Sequence, residues 1–142
     1  MNQEGKIRVL ALGLIRRGDR LFLSRGYDPV KQQTFYRALG GGVDFGEASD
    51  VALKREFREE LNTEVINLRY LGCLENLFTF NGKAGHEIIQ LYECDFADPK
   101  FYELNEVTFK EGDREKLALW VNIDQCRSGE LRVVPDNFLE YL

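Results

Sequence analysis

Residues Gly41–Thr63 read GGVDFGEASDVALKREFREELNT, a glycine-rich segment running into one short helix loaded with carboxylates. Ser49 is a good N-cap and Asp50 suits the first turn, so the helix is expected to begin near Ser49. Leu53, Phe57 and Leu61 recur at i, i+4 and i+8 and form its buried stripe. Glu56, Glu59 and Glu60 stand at i, i+3 and i+4, on a different face. At that spacing their Cβ atoms lie about 5–6 Å apart, and each like-charge pair costs a few tenths of a kcal/mol. A solvated acidic face is the plain explanation of such a run. A hard divalent cation held by oxygen ligands would offset the repulsion.

Outward from this segment the chain alternates strand and turn signals. Lys6–Leu14 reads as a buried strand, Arg17-Gly18-Asp19 as a turn, and Arg20–Ser24 as the returning arm of a hairpin. Gly26–Thr34 is irregular and polar, with Pro29 barring a helix. Phe35–Ala38 is a short strand leading into a glycine turn at Gly40-Gly41-Gly42. Val65–Phe80 and His86–Phe96 read as strands about a turn at Asn81-Gly82, and Leu117–Val121 as another. Lys100–Lys116 is charged and irregular outside Glu106–Phe109, and Pro135 suits the first turn of a closing helix. Strands on both sides of a central helix predict an α/β layered domain with a mixed sheet.

Gly41–Thr63 resembles the Nudix box, the signature of the Nudix hydrolases. Gly41, Glu47, Arg55, Glu56, Phe57, Glu59 and Glu60 fit the pattern at its spacings. Asn62 stands where the family has glycine and Thr63 where it has an aliphatic residue. Asn tolerates the left-handed conformation that ends a helix, so the first departure is mild. The match covers 23 of 142 residues, and seven positions at fixed spacing are far more specific than a lone GxGxxG.

The resemblance implies an α/β/α sandwich and a metal-dependent pyrophosphohydrolase. Its substrate would be a nucleoside diphosphate linked to another moiety X, and its cofactor Mg²⁺ or Mn²⁺. Glu56, Glu59, Glu60 and the carbonyl of Gly40 are the implied metal ligands. Arg55 would hold the glutamates by charged hydrogen bonds, Glu47 would support them or ligate from outside, and Glu59 would be the base. Phe80, His86 and Glu87 are the candidates on the substrate side. Against these stand plainer readings: Phe78, Phe80 and Tyr92 as core, His86 as a strand residue, Glu87 and Glu93 as solvent-facing carboxylates. Residues that select X are expected in Gly26–Arg37 and Phe78–His86. No proline lies between Thr63 and Asp98, unlike ADP-ribose hydrolases, and the coenzyme A signature is absent. The alternative function is a non-catalytic Nudix-like domain that senses a nucleotide; a general Mg²⁺ or Ca²⁺ module lacks its EF-hand loop here.

The 142 residues suit one domain, 1–142, and 44% apolar content with 12% aromatics suits a folded globule. A net charge of −5 disfavours a nucleic-acid polymer as partner, and no apolar run is long enough to span a membrane. MNQEGKIRVLALGLI lacks a cleavage site after its apolar stretch, and the odd number of cysteines shows no CxxC pairing. A cytoplasmic protein with reduced thiols at Cys73, Cys94 and Cys126, in or near the core, is therefore expected. The resemblance adds a homodimer, as many relatives form.

Overall fold

A computed structural model describes residues 5–142. Eight strands form one sheet: β1 (Ile7–Arg17), β2 (Arg20–Asp28), β3 (Gln33–Arg37), β4 (Leu39–Gly42), β5 (Val65–Phe80), β6 (Lys83–Phe96), β7 (Glu106–Glu111) and β8 (Arg114–Asn122). The main path runs β5-β6-β1-β2-β8-β7, with β3 on β2 and β4 on β1. Among the described strands only β1 and β6 pair in parallel, so the sheet is mixed as expected.

Helix α1 (Ser49–Leu61) packs on one face and buries Ala52, Leu53 and Phe57 against Ala11, Ile15, Phe22, Phe96 and Trp120. Burying a side chain such as Phe57 contributes about 1.5–3 kcal/mol. The opposite face holds Leu12, Leu14, Leu21, Leu23, Ile89 and Leu91. The short α2 (Ile123–Arg127) and a C-terminal 3-10 turn (Asp136–Tyr141) cover them. The layers are therefore α/β/α. Alternation along β1 explains the division, because its even residues enter one core and its odd residues the other.

Asn62 ends α1 with φ 51° and donates its N–H to the Arg58 carbonyl at 3.0 Å, the left-handed stop expected of it. Asn81 and Gly82 both have positive φ, 52° and 76°, as a tight hairpin turn between β5 and β6 requires.

Several expectations need correction. Ala48, not Ser49, is the N-cap of α1; the Ser49 hydroxyl pairs instead with the Tyr92 hydroxyl at 2.5 Å, anchoring the helix start to β6. Gly40–Gly42 is not a turn but belongs to β4. The missing side chains of Gly40 and Gly41 let backbone and a carboxylate approach closely: a Cβ on Gly40 would lie 2.0 Å from the Ala11 carbonyl oxygen. Lys100–Lys116 contains the whole of β7 and the start of β8. Charged residues on the outer face mask the inward Val107, Phe109 and Glu111. The closing helix is only a 3-10 turn. Cys94 and Cys126 are buried, but Cys73 is exposed on the edge strand β5. Among the described residues no helix is long and apolar enough to cross a membrane.

Candidate active site

β1 and β2 pair directly only near their turn, over Ile15–Arg17 and Arg20–Phe22. Beyond it β4 continues on β1 and β3 on β2. A cleft of about 410 Å³ opens here, with Gly40, Gly41, Glu60 and Glu111 among its lining residues together with Phe35 and Phe80.

Arg55 organises the carboxylates of α1. It holds Glu47 bidentately, from Nε at 2.7 Å and Nη2 at 3.0 Å, and donates from Nη1 to Glu56 at 3.0 Å and Glu59 at 3.1 Å. Nη2 also donates to the Gly42 carbonyl at 2.9 Å, tying α1 to β4. Bidentate, charge-assisted pairs of this kind fix geometry as well as charge. The Arg55 hydrogen bonds hold the Glu47 carboxyl below its usual range, and the backbone N–H of Asp44 adds to the effect. Glu47 therefore clasps the arginine that sets the other acids.

Glu60 lies deeper. Burial pushes its carboxyl up to about 8, and the negative charges of Glu111 and Glu56 add to the shift. Glu111, on β7, is its charged neighbour. Lys116 of β8 pairs with Glu111 at 3.1 Å and outweighs the cost of its burial, so Glu111 is held low. Glu56 is raised, first by burial and then by Glu59 and Glu111, in spite of Arg55.

Sequence reasoning missed Glu111 and Lys116. The signal was present in EVTFKEGDREKLALW, an alternating strand, a turn at Gly112-Asp113 and a second strand. Lys100–Lys116 looked irregular because its surface charges hide that alternation.

Among the described residues no three carboxylate, imidazole or thiol side chains close into a cage. The carboxylates are spread along α1 and the neighbouring hairpin, beside an open cleft. That donor set fits Mg²⁺ or Mn²⁺. Mg²⁺ prefers oxygen, keeps several waters and shares its sphere with substrate phosphate. Half-buried acids whose negative charges repel one another, as Glu60 does Glu56 and Glu111, also favour a cation.

The substrate-side candidates divide. Phe80 and Glu87 line both the main cleft and a smaller depression of about 200 Å³ beside it, whereas His86 lines the smaller one only. Glu87 is not solvent-facing; it is 4% exposed and accepts from Arg37 at 3.1 Å. Glu93 is half exposed and pairs with Arg69 at 2.8 Å. Phe80 meets Phe35 edge to face, with ring centroids 5.9 Å apart. At the cleft mouth Asp28 accepts the backbone N–H groups of Val30, Lys31 and Asn81 at 3.0, 3.2 and 3.3 Å. It thereby ties the β2–β3 loop to the β5–β6 turn.

A family model for the NUDIX domain matches residues 6–142. The chain belongs to the NUDIX domain family. It is 35% identical over 124 residues to the NAD-capped RNA hydrolase NudC of Pseudomonas aeruginosa, an alignment covering 87% of this chain and 39% of that protein. NudC of Haemophilus influenzae is 32% identical over 114 residues, covering 78% and 38%. The chain thus spans about two fifths of the length of these curated relatives. Among solved structures, a MutT NUDIX hydrolase from Burkholderia pseudomallei superposes with a TM-score of 0.61 at 24% identity, covering 84% of this chain and 85% of that one. A NUDIX hydrolase from Nitrosomonas europaea gives 0.63 at 20% identity, covering 92% and 82%. These two likenesses establish the Nudix fold.

Proposed function

We propose that this Nudix chain is a divalent-metal-dependent pyrophosphohydrolase that cleaves a phosphoanhydride in a nucleoside diphosphate linked to a moiety X. The observation that carries the reading is the set of α1 glutamates gathered by Arg55 at the edge of the cleft. A domain that only sensed a nucleotide would have no use for an arginine that fixes carboxylates.

Glu56, Glu59, Glu60 and the Gly40 carbonyl would hold the ion, with Glu111 beside them. Bound Mg²⁺ or Mn²⁺ supplies neutralisation of phosphate charge and acidification of water. Arg55 holds Glu56 and Glu59 so that no reorganisation is needed during reaction. Glu59, with its side chain 58% exposed, is assigned the proton of the attacking water. Phe80 and Glu87 line the same cleft and would contact X or the base.

The test is a panel of nucleoside diphosphate derivatives assayed with Mg²⁺ and Mn²⁺, with product identification. The name of the relatives adds a 5′-capped oligonucleotide to the panel, beside the free nucleotides. Hydrolysis between the two phosphates supports the reading; binding without turnover of any member overturns it in favour of a sensing domain.

Metal binding should also be visible without substrate. From Gly41 to Thr63 there are six acids, Asp44, Glu47, Asp50, Glu56, Glu59 and Glu60, against three bases, Lys54, Arg55 and Arg58. An ion that binds only the folded arrangement stabilises it by about 2.7 kcal/mol at one hundred times its Kd. For a domain of this size that is a rise in Tm of roughly 5–10 °C. Calorimetry at constant ionic strength should show the rise with Mg²⁺ or Mn²⁺, and the Glu56→Gln/Glu60→Gln double variant should lose most of it. An equal rise with monovalent salt would reduce the glutamates to a screened acidic face.

A further inference from the structure

The same cleft holds a second charged cluster that the hydrolytic chemistry leaves unused. Glu87 of β6 is buried, and its Oε1 accepts both Arg37 Nη2 at 3.1 Å and Asn76 Nδ2 at 3.2 Å. Three strands, β3, β5 and β6, must meet to build this cluster. A buried ion pair of this kind often contributes no more stability than apolar residues of the same volume, so its fixed geometry is the more telling property. Among the described residues no donor reaches Glu87 Oε2 or Asn76 Oδ1, and both residues line the cleft. Beside them stand the Phe35 and Phe80 rings, set edge to face, which make that part of the cleft apolar and aromatic.

Two open acceptors next to a pair of aromatic rings suit a planar ring that can lie against one ring face and carries donors in its own plane. A hydroxyl brings one donor and is not bound to the ring plane. An amino group conjugated to a ring brings two N–H donors coplanar with it. We infer that the Glu87–Asn76–Arg37 cluster reads an amino group on a planar ring of the substrate and rejects the corresponding oxo or carboxylate form. This rests on the hydrolase reading above and adds the class of substrate. The same chemistry comes from two sources, the exocyclic amine of a nucleobase or a carboxamide on X. A fixed carboxylate oxygen facing an oxo group leaves two acceptors opposed in a partly desolvated site, and discrimination of about 10–100-fold follows.

The test uses equilibrium binding in the absence of metal, so that affinity is read apart from turnover. The probes are nicotinamide adenine dinucleotide, its hypoxanthine analogue and its nicotinic acid analogue. The wild-type protein should bind one analogue about 10–100-fold more weakly than the parent and the other within threefold. The weak one identifies the source of the amine. In Glu87→Gln the preference should fall to threefold or less, because the new amide can turn its NH₂ toward an oxo group. A role confined to holding β3 against β6 would weaken all three probes alike. Equal binding of the three probes by wild type, failure of all three to bind, or an intact preference in folded Glu87→Gln would overturn the inference. The wild-type comparison decides alone if the variant does not fold. Hydrolysis of a diphosphate whose ring lacks an amine, with no preference among these probes, would sink this assignment and leave the proposed activity standing. No hydrolysis of any diphosphate would remove both.

Discussion

Glu60→Gln is expected to lower kcat roughly 100–1000-fold while the protein folds as well as wild type or better. The substitution keeps the side chain's size and removes a carboxylate ligand. Charge stabilisation by a bound cation contributes several kcal/mol to the transition state, and each 1.36 kcal/mol is a factor of ten. Stability moves the other way. Glu60 has an ordinary value of 4.5 and stands at about 8 in the folded metal-free protein, raised by burial and by Glu111 and Glu56. A raised carboxyl stabilises the fold most below its unfolded value, and that contribution is lost as pH climbs toward the folded value. Gln does not titrate. Metal-free Glu60→Gln should therefore gain Tm relative to wild type as pH rises from about 5 to 9, and this can be followed by thermal unfolding in chelator. Wild-type turnover in the variant would remove Glu60 from the ligand set. A variant less stable than wild type at pH 9 would contradict the crowding of Glu60 with Glu111.

The box residues were legible because their spacing is set by one helix. Glu56, Glu59 and Glu60 must share a face if α1 is a helix at all, and Asn62 must end it where the left-handed conformation is tolerated. Six of the strand assignments met a strand for a similar reason, since Val65–Phe80 or Arg20–Ser24 carries its signal within itself. What failed depended on partners distant in sequence. Ser49 is a sound N-cap by type, but Tyr92 takes its hydroxyl. Glu87 resembles any acid on a strand until Arg37 and Asn76 arrive from two other strands. Glu111 enters the site only because β7 passes beside α1, and its own segment is dominated by surface charge. Gly40–Gly42 suggested a flexible turn by composition; its missing Cβ atoms serve close packing within a sheet instead.

That last point separates two neighbouring glycines whose substitution should fail in different ways. Gly40 has φ 147°, a conformation L residues seldom adopt, and an added Cβ would lie 2.0 Å from the Ala11 carbonyl oxygen and 2.9 Å from the Leu12 Cα. Those atoms belong to β1, the strand that both cores share, and cannot withdraw without breaking the β1–β4 ladder. Gly40→Ala should cost more than about 3 kcal/mol and be recovered poorly folded, if at all. At Gly41 the obstacle is a side chain. Its Cβ would lie 2.4 Å from the Glu56 carboxyl carbon and from Oε2. The end of a glutamate can swing aside, so Gly41→Ala should fold with a Tm within a few degrees of wild type. The displaced carboxylate can no longer keep both its contact with Arg55 Nη1 and its place in the ligand set. A shift of about 1 Å in a positioned group costs on the order of 100-fold in rate, so activity should fall by that much, with a matching loss of the metal-induced rise in Tm. Circular dichroism and the metal titration on the purified variants distinguish the two failures. A well-folded Gly40→Ala would contradict the packing of β4 on β1, and a fully active Gly41→Ala would show that Glu56 does not need the position in which Gly41 leaves room for it.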